Sequence, residues 1–177
     1  DGNDPPTVTL QNPTGGAVLG ARHTATLSIV DDEPAINFST ATYSVTENHG
    51  PAVVTVTRSG PVGGTVTVQF LSPDGSATAP PDYSVVKRTL RFGPGVRTAT
   101  GSVPIINDTL AEGTETVNLS LSNVAGGTPP ALLGVRNTAV LNIVDDDVAG
   151  SVQFSKATYS VSEAAGVATI TVTRTGG

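Results

Sequence analysis

Cysteine, methionine and tryptophan are all missing from the 177 residues. Without cysteine there is no disulfide and no thiolate metal site. Secretion remains open, because a domain above about 100 residues can bury enough core without covalent staples. The first residue is Asp1 rather than Met, which fits a mature fragment or a window cut from something longer. No signal-peptide pattern is present, and no run of about 18 apolar residues that would insert in a membrane. Basic residues are few, 9 against 15 acidic for a net charge of −6. Apart from Lys87-Arg88 they are scattered, which argues against nucleic acid and anionic membrane as partners. The two histidines, His23 and His49, are isolated, and no serine sits in a nucleophile-elbow context. No enzymatic chemistry is expected.

What is abundant is valine and threonine in alternation, broken by 20 glycines and 13 prolines. That pattern reads as an all-β chain. It also repeats. Leu19 to Asp32 matches Leu133 to Asp146 at an offset of 114 residues, and Ala41 to Glu47 matches Ala157 to Glu163 at an offset of 116. Val54 to Arg58 matches Ile170 to Arg174 at that same offset. The chain is therefore out of phase with its own repeats. Residues 1–33 are the C-terminal part of a first repeat, 35–147 a complete one, and 150–177 the N-terminal part of a third.

Period-two alternation marks seven strands in the complete repeat. They carry Tyr43 and Val45; Val54 and Val56; Val66, Val68 and Phe70; Leu90 and Phe92; Val103 and Ile105; Val117, Leu119 and Leu121; and Ala139, Leu141 and Ile143. Seven short strands separated by turn signals predict a two-sheet antiparallel sandwich, and tandem sandwiches stack into a rod. Tyr43, Tyr83 and Tyr159 recur with the repeat and are assigned to packing. Asp74, in Pro73-Asp74-Gly75, is assigned to a turn.

The acidic residues avoid strand interiors. In such a sandwich the first and last strands run parallel, so Glu47 shares a pole with Asp145, Asp146 and Asp147. The third-to-fourth and fifth-to-sixth connections open at that pole and bring Asp82, Asp108, Glu112 and Glu115. Two carboxylates 4 Å apart repel by roughly 4 kcal/mol at an effective dielectric of 20, and these loops contain no Lys or Arg. Two readings stand: a solvated cap on the strand ends, or a cation site. Oxygen ligands without His or Cys select Ca²⁺, and a loop-built site suits it better than Mg²⁺.

Ser72 to Tyr83 followed by Thr89 to Gly95, then Ile106-Asn107-Asp108, Glu112-Gly113-Thr114-Glu115, Leu133-Gly134 and Asp145-Asp146-Asp147, together resemble the signature of the Calx-β family. The resemblance covers essentially the whole chain. It implies tandem seven-stranded immunoglobulin-like sandwiches, in a family represented in sodium–calcium exchangers and large bacterial surface proteins. It also implies Ca²⁺ ligands at Glu47, Asp82, Asp108, Glu112, Glu115, Asp145, Asp146 and Asp147. Asn107 stands where strong binders often carry aspartate, which lowers the ligand charge. The first repeat retains a partial site in Asp1, Asp4, Asp31, Asp32 and Glu33, and the third retains Glu163.

The leading expectation is an extracellular or cell-surface rod of bacterial type, structural or adhesive, stiffened by Ca²⁺ where repeats meet. Its partners are neighbouring repeats of the same chain. One alternative is a regulatory Ca²⁺-sensing module of a larger transporter or enzyme. Another is a filament subunit that self-associates by strand complementation through its incomplete terminal repeats.

Overall fold

The computed structural model describes residues 6–29 and 32–177. Thirteen strands follow in order among these residues: β1 (Thr7–Thr9), β2 (Thr24–Thr26), β3 (Ala35–Phe38), β4 (Thr42–Thr46), β5 (Ala52–Arg58), β6 (Gly63–Leu71), β7 (Lys87–Phe92), β8 (Thr98–Val103), β9 (Glu115–Thr128), β10 (Leu132–Leu133), β11 (Thr138–Val144), β12 (Ser151–Phe154) and β13 (Val172–Thr175). Two short 3₁₀ turns, Glu47–His49 and Glu163–Ala165, are the helical elements described.

Strands β3 to β11 build a sandwich. One sheet has the order β10-β3-β5-β8 and the other β4-β11-β9-β6-β7. Successive side chains on a strand point to opposite faces, and the burial follows. On β5, Ala52, Val54, Val56 and Arg58 are buried; in the other sheet Val66, Val68 and Phe70 on β6, Leu119 on β9 and Leu141 on β11 are buried in the same core. The outward positions are largely Thr, Ser and Asn, which suit a strand without adding charge. Gly101 leaves room for the Phe70 ring, since a Cβ there would stand 2.9 Å from Phe70 Cε1.

All seven expected strands are present, with two differences. The first strand divides between sheets: β3 pairs with β5, the chain bends at Ser39–Ala41, and β4 pairs with β11. Tyr43 fastens that crossing, its hydroxyl donating to Thr55 O at 2.7 Å and lying 3.0 Å from Ser39 Oγ. The second difference is β10, a two-residue parallel partner of β3.

Both flanking pieces repeat pieces of the sandwich. In β1–β2, Val8 pairs with Ala25 as Leu119 pairs with Ala139 in β9–β11. In β12–β13, Val152 pairs with Arg174 as Ile36 pairs with Arg58 in β3–β5. Tyr159 donates to Thr171 O at 2.6 Å, 116 positions beyond the same bond of Tyr43.

Candidate metal centre

Backbone pairing determines which acids meet. Strand β11 runs parallel to β4, with Val144 opposite Thr46, so the residues after both strands leave the sheet side by side. Those residues are Glu47 on one side and Asp145-Asp146-Asp147 on the other. Glu115 opens β9 opposite Ile143, at the same end. Asp82 arrives through the Tyr83–Ile105 bridge, where its carbonyl accepts from Ile106 N at 2.9 Å.

Two groups of carboxylates result. Glu47, Asp145 and Asp147 form one, and Asp82, Glu112 and Glu115 the other; within each, one oxygen per residue lies within 4.8 Å of the others. Asp108 and Asp146 join neither group. Asp108 sits where its charge acts on both, on Glu47 and Asp147 and also on Glu112. Asp146 is turned toward Asn48, whose Nδ2 donates to Asp146 Oδ2.

Loop amides aim four of these side chains. Asp145 Oδ2 accepts from Glu112 N at 2.7 Å and Gly113 N at 3.0 Å, while Oδ1 accepts from Asp147 N at 2.9 Å. Those donors hold the Asp145 carboxyl below the usual carboxylate range, the Asp147 amide contributing most. Glu47, only 7% exposed, accepts from Asp108 N at 2.8 Å. Asp82 Oδ2 accepts from Thr78 N at 2.7 Å, and Asp108 Oδ1 from Leu110 N at 2.7 Å.

The remaining shifts run the other way. Desolvation, then neighbouring carboxylates, raises the Glu112 and Glu115 carboxyls, Glu112 chiefly through Asp108 and Glu115 chiefly through Asp82. Desolvation also raises Glu47, and it raises Asp147, which Asp146 and Asp145 push further. Like charges held close in ordered loops are a standing cost that a counter-ion removes. Asp147 Oδ2 adds a separate observation: it is buried without a hydrogen-bond partner. A buried acceptor left unsatisfied asks for an unseen water or ion. An all-oxygen, loop-borne donor set fits a hard divalent cation, so the residues present suit Ca²⁺.

The remaining candidates lie elsewhere. Asp1, Asp4 and Asp31 fall outside the described residues. Asp32, Glu33 and Glu163 join no group of three acids among the described residues. Glu163 occupies a 3₁₀ turn like that of Glu47, capped by Ser162. Four orienting residues escaped the sequence reading: Asn48, Thr78, Leu110 and Gly113. Asn48, adjacent to Glu47, and Gly113, adjacent to Glu112, carried a signal in their neighbours. Asp74, expected in a turn, instead bridges Val117, and its Oδ1 accepts from the Tyr83 hydroxyl at 2.6 Å.

Comparison with known proteins identifies the family and the fold. The Calx-beta domain model matches residues 29–147 and again residues 145–177. Sodium/calcium exchanger 1 of Rattus norvegicus is 33% identical over 172 residues, covering 88% of this chain and 18% of the exchanger. Sodium/calcium exchanger 3 of the same species is 35% identical over 181 residues, covering 89% of this chain and 20% of its own length. The chain thus spans about a fifth of these relatives. Among solved structures, the apo-form Calx CBD1 domain superposes with a TM-score of 0.61 at 31% identity, over 65% of this chain and 99% of that one. The calcium binding domain CBD12 of CALX1.1 gives 0.60 at 32% identity, over 71% of this chain and 53% of that one. Two successive matches to one family model, carried on a sandwich with carboxylates gathered at one pole, establish that the chain belongs to the Calx-beta domain family.

Proposed function

We propose that this segment is a Ca²⁺-binding regulatory module of a larger protein. The observation that carries the reading is the pair of all-oxygen carboxylate groups at one pole, one of which includes the unsatisfied buried Oδ2 of Asp147. Glu47, Asp145 and Asp147 would hold one ion and Asp82, Glu112 and Glu115 another, with Asp108 adding charge to both. Asp145 contributes mainly by tying the 112–113 backbone to the strand exit, because its oxygens already accept three amides. Bound Ca²⁺ would supply the positive charge that ties the loops to the strand ends.

The matched exchangers favour this reading over the extracellular rod. In them the matching region is a small share of a much longer protein named for transporting sodium and calcium, which is the situation of an attached module. A solved relative is itself named a calcium binding domain. The boundaries that go with the proposal are a first repeat ending at residue 33, a complete repeat at 35–147 and a third starting at 150. Regulation then consists of a change in the order of the pole, passed to the next repeat through the short exit 145–150.

The test is calorimetric titration of the chain with Ca²⁺ and, separately, Mg²⁺. Saturable Ca²⁺ binding, lost in stages by Glu47→Gln and Glu115→Gln, is expected. Absence of Ca²⁺ binding, or binding unchanged in both variants, contradicts the proposal.

A further inference from the structure

Asp146 is the one member of the exit triplet that neither acidic group includes, and a distant residue engages it instead. Asn48 Nδ2 donates to Asp146 Oδ2 across a separation of 98 positions. Asn48 follows Glu47 in the 3₁₀ turn that ends β4, and Asp146 lies between Asp145 and Asp147 beyond the end of β11. Their neighbours already meet, since Glu47, Asp145 and Asp147 form one group. Beyond the end of β11, Asp146 is exposed while Asp145 and Asp147 are half-buried, and Asn48 meets it there. The bond gives a donor to a carboxylate flanked by two others. It also ties the exit segment to the turn that follows β4. In the third repeat the position after Glu163 is Ala164, which has no donor side chain. The latch therefore belongs to the complete repeat and is not a general feature of the repeat pattern.

We propose that Asn48 is a positioning residue: by holding Asp146 it keeps Asp145 and Asp147 in register with Glu47, and so sets the affinity of that group for a divalent cation. The proposal rests on the cation-binding reading above. Four versions of the chain test it: wild type, Asn48→Ala, Asp146→Ala and the double variant, each titrated with Ca²⁺ and each melted without it. Asn48→Ala is expected to weaken binding about three- to tenfold, the scale of one hydrogen bond to a charged group near the surface. In the Asp146→Ala background the same substitution should change nothing further, because Asn48 acts through Asp146. Unaltered affinity in Asn48→Ala, or losses that simply add, overturn the proposal. If wild type takes up no Ca²⁺, the cation reading fails and the affinity role of Asn48 fails with it. Non-additive melting temperatures in the same cycle would then still show the latch itself, and additive ones would remove that too.

Discussion

Each carboxylate at the pole differs from its neighbours in what holds it. Asp145 accepts three backbone amides, Asp146 is taken by Asn48, and Asp147 keeps one buried oxygen without a partner. Asp147→Asn should therefore do two opposed things. It removes a charge that desolvation and two adjacent aspartates disfavour, so the cation-free protein should melt higher. It also removes the least satisfied ligand, so Ca²⁺ affinity should fall by at least the ~10- to 100-fold typical of altering an outer partner. Differential scanning calorimetry and titration on one preparation read both. Asn107→Asp is the converse case. Asn107 Nδ2 donates to Asp108 O at 3.0 Å, and a carboxylate there loses that bond while adding charge beside Asp108. Lower cation-free melting with tighter or additional Ca²⁺ binding is the expected outcome of the same two measurements.

At the scale of elements, the site depends on the parallel pairing of β4 with β11 and on the 72–83 loop that delivers Asp82. Tyr83 anchors that loop. Its ring is fully buried, and its single hydroxyl proton lies between two acceptors, Ser72 O at 2.9 Å and Asp74 Oδ1 at 2.6 Å. Burial, then the Asp74 bond, pushes its ionisation well above the ordinary tyrosine value. Tyr83→Phe should cost about 1–2 kcal/mol, because the buried Ser72 carbonyl loses its donor, and urea melts should show it. The parallel pairing and the gathering of acids were legible in advance, since both follow from period-two alternation and sandwich topology. β3 was not, because Ala35–Phe38 offers only Ile36 and Phe38 as a signal and belongs to the opposite sheet from β4. Arg58 was equally hidden. It reads as one scattered base, yet it is 2% exposed, with Nη2 donating to Gly63 O at 2.6 Å and Nη1 to Gly64 O at 3.2 Å. The split of the acids into two groups, and the turning away of Asp146, depend on where loop amides and Asn48 point. Loop geometry of that kind has no sequence period to announce it.

Over the whole molecule, acidic excess and repetition combine. The complete repeat buries Ile36 and Phe38, whereas their counterparts Val152 and Phe154 are 68% and 65% exposed. The same register thus occurs once inside a closed sandwich and once in an open pair of strands. The electrostatics of the pole set the pH response. Glu47, Glu112, Glu115 and Asp147 have carboxyls raised above their ordinary values of 4.5 and 3.8, so the folded chain binds protons more readily than the unfolded one over that window. Cation-free stability should therefore rise as pH falls from neutral toward those ordinary values. Asp145 acts in the opposite sense: its carboxyl is lowered, so its contribution is present above 3.8 and disappears on further acidification. A maximum in melting temperature on the acid side of neutrality is the expected profile. Ca²⁺ should reverse its upper limb, because protons and the ion compete for the same oxygens.

The most direct measurement of the central claim is the melting temperature of the chain across a Ca²⁺ titration at neutral pH, beside a chelator control. A site that binds the folded state alone adds about 2.7 kcal/mol at 100 times its dissociation constant. The account predicts a melting temperature that climbs with Ca²⁺, returns on chelation, and no longer responds in a variant lacking both Glu47 and Glu115 carboxylates. A melting temperature indifferent to Ca²⁺ in the wild-type chain would contradict it.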